Sequence, residues 1–73
     1  MADVAKVVQL VGSSEKSFSD AVRGAVERAA QTIRGITGVD VVSSQASVSD
    51  GKITEYRVTV NIAFALESGS DVN

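Results

Sequence analysis

Residues 52–67, KITEYRVTVNIAFALE, constrain the fold more than any other stretch, because they alternate almost without error. Tyr56, Val58, Val60, Ile62, Phe64 and Leu66 fall on one face. Glu55, Arg57, Thr59 and Asn61 fall on the other, followed by the small Ala63 and Ala65. A period of two over this length is the pattern of a long β-strand with one buried face. The stretch also holds the only Tyr and one of the two Phe, so most of the aromatic bulk belongs to it.

The sequence before it supplies partners. Residues 5–11, AKVVQLV, are β-branched and nearly continuously apolar, with Lys6 and Gln9 as the polar exceptions, as in a strand with both faces at least partly covered. Residues 12–16 read as a turn, with Gly12 free to take positive φ. A helix is predicted over residues 17–34. Ser17 and Asp20 give it a capping-box-like start, and Phe18, Ala21, Val22, Ala25, Val26, Ala29, Ile33 and Ile36 form one apolar stripe. Gly24 falls mid-helix at a cost of about 1 kcal/mol relative to Ala. Gly35 suits the position just past a helix end.

Residues 36–38 then read as a crossover and residues 39–49 as a second strand, apolar first and rich in Ser and Gln later. Asp50-Gly51 between two alternating runs is the signature of a type I′ hairpin, so the last two strands pair antiparallel. The final strand is expected in the centre of the sheet. Residues 1–67 read as one domain and residues 68–73 as a flexible polar tail. The order is β-α-β-β, an α+β unit. One helix covers only one face of a three-stranded sheet, so the odd-numbered face of the last strand needs another partner.

Size leads to the same expectation. A chain of 73 residues buries only about 60% of its unfolded surface, and small scaffolds rely on disulfides, metals or partner subunits. Cys and His are both absent, which excludes disulfides and thiolate or imidazole metal sites and leaves self-association. Seven basic against nine acidic residues, net −2, give no electrostatic case for nucleic acid. No apolar run is long enough for a membrane-spanning helix. The first residues alternate like a strand without a leading basic region, so the expected location is cytoplasmic.

No catalytic constellation stands out, and the chain is expected not to be an enzyme. The glycine turn lacks the spacing of a phosphate cradle. Ser13 and Lys16 form an S-x-x-K of the kind that arises by chance. The carboxylates are scattered rather than paired. Arg57 is the one side chain singled out by pattern. It is a charge in mid-strand on the face that the helix does not cover, either exposed and cross-strand paired or facing a ligand or interface.

The layout resembles the dodecin family. VVQLVGSSEKSFSDAV at the start, ERAAQTIRGI in the helix and VVSSQASVSDGKITEYRVTVNIAFALE at the end carry the resemblance. It implies a sheet wrapped around its helix, in a subunit that assembles into a hollow homododecamer with helices outside and sheets inside. It also implies a small-ligand binding or storage protein whose ligand is a flavin (riboflavin, FMN or FAD), with coenzyme A bound by some members.

In typical members a Trp after the helix stacks on the flavin, a Gln on the last strand meets the ring edge, and a basic residue is common on the preceding strand. Those positions here are Gly38, Arg57 and Gln45. A stacking Trp contributes about 100 Å² of apolar contact, about 2–3 kcal/mol, and its ring geometry about 0.5–1.5 kcal/mol more. Losing about 3–4 kcal/mol weakens binding by roughly a few hundred-fold. Arg offers donors only, where Gln answers both donors and acceptors of the flavin edge. Trp-less dodecins form a subgroup, some of them linked to calcium. The resemblance therefore leaves a structural or calcium-associated assembly without flavin as the alternative.

Overall fold

The computed structural model describes residues 4–66. Within them the chain runs β1 (Ala5–Ser14), α1 (Phe18–Ala30), β2 (Ile36–Ser49) and β3 (Lys52–Ala65). The three strands form one antiparallel sheet in the order β1-β3-β2, with β3 central as expected. Residues 68–73, read as a polar tail, lie outside the described residues, as does Glu67.

The alternation in β3 becomes two distinct faces. Val58, Val60 and Ile62 are fully buried, and their β1 partners Gly12, Leu10 and Val8 share that face. Helix α1 lies on it. Ala21, Ala25 and Ala29, one turn apart, complete the buried core. Three alanines on one stripe let the helix backbone come close to the sheet. Gly12 takes this furthest, since a Cβ there would meet the Ala21 carbonyl oxygen at 2.7 Å and the Ala25 Cβ at 3.1 Å. The close approach explains why residues 12–14 belong to β1 rather than to the turn expected there. Gly12 serves contact with the helix, and Gly12, Ser13 and Ser14 continue the ladder opposite Val58, Arg57 and Tyr56.

The helix begins as the sequence predicts. Ser17 is the N-cap, its hydroxyl accepting from the Asp20 backbone N–H at 3.0 Å. Ser14 Oγ donates to Asp20 Oδ2 at 2.7 Å and accepts from the Lys16 backbone N–H at 2.8 Å, which ties the end of β1 to the start of α1. Phe18 meets Tyr56 edge to face, with centroids 4.9 Å apart and planes at 79°, within the range where aromatic pairs attract. Arg23 reaches back to Asp20 at 3.8 Å rather than forward to Glu27.

The helix ends earlier than predicted, at Ala30, with Gln31 as its C-cap. Thr32 and Ile33 turn back through backbone bonds to the Ala29 carbonyl. Ile33 still packs on the core, so its place in the periodic stripe did not require continued helix. Gly35 does adopt positive φ, +76°, but in the connection to β2, where its carbonyl accepts from the Ala65 N–H at 3.0 Å. Residues 36–38 are not a crossover. They open β2, with Ile36 paired to Phe64 and Gly38 to Ala63.

Asp50 and Gly51 have φ of +53° and +76°, the doubly positive pair that a type I′ turn requires. β2 is irregular, with register shifts between Ile36 and Gly38, between Val41 and Ser43, and between Ser47 and Val48. Such bulges bend a strand and raise its twist. The helix sits over β1 and β3 and touches β2 least. Val39 and Val41, opposite Ile62 and Val60, are consequently 41% and 48% exposed on the helix side. The Cα radius of gyration, 15.5 Å, exceeds the about 11 Å of a compact domain of this length. A long two-stranded arm and a thin core thus leave much of this subunit's apolar surface uncovered.

Candidate functional site

The sheet face opposite the helix is the candidate surface. No described element covers it, and the ladder fixes which residues share it. Along β3 these are Glu55, Arg57, Thr59, Asn61 and Ala63. Ser13, Val11, Gln9 and Val7 flank them from β1, and Ser47, Gln45, Ser43, Asp40 and Gly38 from β2. Val7 and Val11 are 54% and 64% exposed there.

Two clusters lie along this face. In the first, Arg57 is opposite Gln45. Its Nη2 donates to Glu55 Oε1 at 2.8 Å and to Ser47 Oγ at 3.1 Å, while Nη1 reaches Gln45 Oε1 at a long 3.5 Å. The Glu55 contact is an ion pair between side chains that are each 39% exposed. Two of the three sequence-predicted site residues, Gln45 and Arg57, are therefore brought together. The charge of Arg57 is answered on its own strand, two residues away, rather than standing bare. Glu55 and Ser47 are the members of this cluster that the sequence reading missed. The spacing Glu55-x-Arg57 held the signal, because residues two apart on a strand point to the same side.

Gly38, the third predicted residue, is elsewhere. Its partner Ala63 is six residues along β3 from Arg57, about 20 Å at 3.4 Å per residue. One subunit thus does not bring all three positions together. Gly38 borders the second cluster, a shallow depression of about 300 Å³ lined by Val7, Gly38, Val39, Asp40, Asn61 and Ala63. A Cβ built on Gly38 would meet nothing within 4 Å. Gln9 Nε2 donates to Asn61 Oδ1 at 3.1 Å along its edge. A larger depression of about 330 Å³ lies on the opposite side, between β1 and α1, lined by Leu10, Gly12, Ala21, Gly24, Ala25 and Arg28 among others. Among the described residues no group of three or more acidic side chains is placed to hold a metal ion.

Comparison with known proteins gives this architecture its family. The model of the dodecin family matches residues 4–67. The chain belongs to the dodecin family. A dodecin of Thermus thermophilus is 33% identical over 67 residues, covering 92% of this chain and 97% of the relative. Among solved structures, dodecin from Streptomyces coelicolor is similar with a TM-score of 0.84 at 32% identity, covering 89% of this chain and 93% of that one. A calcium dodecin of Mycobacterium tuberculosis, described as a calcium-chelating antigen with a novel calcium-binding site, has a TM-score of 0.75 at 31% identity, covering 88% and 91% of the two chains. The β-α-β-β order and the three-stranded antiparallel sheet are those of a dodecin subunit. Among the described residues no helix is long and apolar enough to cross a membrane.

Proposed function

We propose that this dodecin is a non-enzymatic, cytoplasmic homododecamer that binds and stores a small ligand on the bare face of its sheet, and that flavin is a poor occupant of that face. The observation that carries the reading is the uncovered face itself, an ordered array from Val7 and Gly38 at one end to Arg57 and Gln45 at the other. Dodecins are flavin-binding storage proteins, and dodecameric assembly is typical of the family. A hollow particle with this face inward would withdraw Val7 and Val11 from bulk solvent, in keeping with the marginal core of so short a chain.

Two features speak against the usual flavin mode. Gly38 offers no ring for stacking. Arg57 is a donor-only side chain already engaged by Glu55 and Ser47. A flavin edge approaching Arg57 has to compete with a charge-assisted bond, which is about twice as strong as a neutral one. The test is titration of the apo protein with riboflavin, FMN and FAD, followed by flavin fluorescence. Weak quenching is expected at low micromolar flavin for the native chain, and strong quenching for a variant carrying both G38W and R57Q. Strong quenching by the native chain at those concentrations overturns the reading.

The likeness to the calcium dodecin of Mycobacterium tuberculosis supports a second reading, a calcium-associated assembly without organic ligand. Stoichiometric calcium in the purified particle by elemental analysis, with no absorption near the flavin bands, would favour it.

A further inference from the structure

We infer that the arm formed by the ends of β2 and β3 docks head to tail onto a second copy of the chain, in the groove between β1 and α1, with Asp50 of one copy answering Arg28 of the next. The inference deepens the self-assembly reading above and rests on it. The acceptor side starts from β1. It is an edge strand, bonded only to β3, and the backbone groups it turns outward make no backbone bond among the described residues. Proteins blunt such edges with charges, proline or bulges. β2, the other edge, carries three register shifts. β1 runs ten residues along β3 without a shift, and Lys6 is its only charge. So regular an edge calls for cover. Beside it lies a groove of about 330 Å³, walled by α1 and lined by Leu10, Gly12, Ala21, Ala25 and Arg28 among others.

The donor side is the arm. Tyr56 is opposite Ser14, the last residue of β1, and past it the ladder has two strands only. The four β3 residues from Lys52 to Glu55 extend it by about 14 Å at 3.4 Å per residue. A two-stranded ribbon is marginal alone. Ile53 shares the side of Glu55 and Arg57, and Val48 is opposite it. Val48 is 65% exposed, the most of any large apolar side chain among the described residues, and Ile53 is exposed with it. The chain's own helix lies on the other side of the sheet, so cover for this pair has to come from another molecule. A second copy supplies it. The floor strand of the groove, Leu10 to Ser13, is also four residues long. Asp50 ends the arm and Arg28 edges the groove, and neither has an ion pair among the described residues. Apolar pair meets apolar groove, and acid meets base. Donor and acceptor are different surfaces of one chain, so the contact is heterologous and closes into a ring or propagates as a filament. A hollow particle requires the closed case.

The absence of Cys makes disulfide trapping the direct test. V48C and G24C put one thiol on the arm and one at the groove, on opposite sides of the sheet within a chain. Under oxidised glutathione the double variant is expected to form covalent chains longer than a dimer on denaturing gels, and each single variant none longer than a dimer. Native mass is recorded on the unaltered chain, D50N, R28Q and their combination, with folding checked by circular dichroism. Asn at position 50 keeps the turn, because it tolerates positive φ. Each single charge removal is expected to raise the protomer concentration at which the particle comes apart by about two- to fivefold, and the combination no further than either alone. No covalent species beyond the dimer, or charge removals whose effects add independently, overturns the inference. A twelvefold native mass with either result refutes the contact alone. Covalent chains from a particle that is not twelvefold refute the assembly size alone.

Discussion

The close approach of α1 to β1 makes a sharp contrast between two glycines. In G12A the new Cβ would be 2.7 Å from the Ala21 carbonyl oxygen and 3.1 Å from the Ala25 Cβ. Both distances are shorter than carbon normally tolerates, and the nearer atom is backbone, which no rotamer change relieves. The helix must therefore lift away from the sheet, loosening Ala21 and Ala25 over Val58 and Val60, four of the six buried side chains among the described residues. Overpacking of this kind costs about 1–3 kcal/mol. In a domain of this size each kcal/mol corresponds to about 4–8 °C in Tm.

Gly24 is the control. It lies within α1, exposed, and a Cβ there meets nothing within 4 Å. G24A should stabilise by about 0.5–1 kcal/mol, through helix propensity alone. The assay is thermal unfolding followed by circular dichroism at one fixed protomer concentration, because oligomers shift Tm by mass action. Opposite signs for the two Gly→Ala changes are expected. A G12A protein as stable as the native chain would refute the docking of α1 against Gly12, and with it the reason why residues 12–14 are strand.

Ile62, fully buried at the centre of β3, should cost about 2–5 kcal/mol as I62A, enough to abolish cooperative unfolding at ambient temperature or to make the subunit depend wholly on assembly. S17A removes the acceptor of the Asp20 N–H and should lower stability by about 1 kcal/mol, whereas S17D should restore most of it. Both are read from urea midpoints at constant m-value.

The sequence yielded its long-range architecture more readily than its element ends. β3 was legible because one residue in two is apolar, and Val58, Val60 and Ile62 are indeed the buried ones. Asp50-Gly51 was legible because few sequences satisfy two successive positive φ values. Residues 12–14 misled because Gly-Ser-Ser has the composition of a turn. Only the ladder to Val58, Arg57 and Tyr56 and the nearness of Ala21 explain them as strand. The helix end misled because Ile33 and Ile36 stay in phase with the apolar stripe, yet both reach the core from non-helical backbone. Leu66 alternates correctly but lies past the end of β3 and is 48% exposed.

The candidate face was legible in outline and not in detail. Its residues follow from strand parity, so Arg57 and Gln45 could be placed on it. Their contact, the capture of Arg57 by Glu55, and the distance of Gly38 from both depend on register and bulges in β2 that no local signal announces.

If copies of itself complete this thin subunit and its bare sheet face, the native particle has a mass that shows it. Native mass spectrometry of the purified protein measures that mass. A particle of twelve chains, persisting on dilution, is the predicted result. A stable, folded monomer would contradict it, because the face carrying Val7, Val11 and Arg57 would then be soluble uncovered.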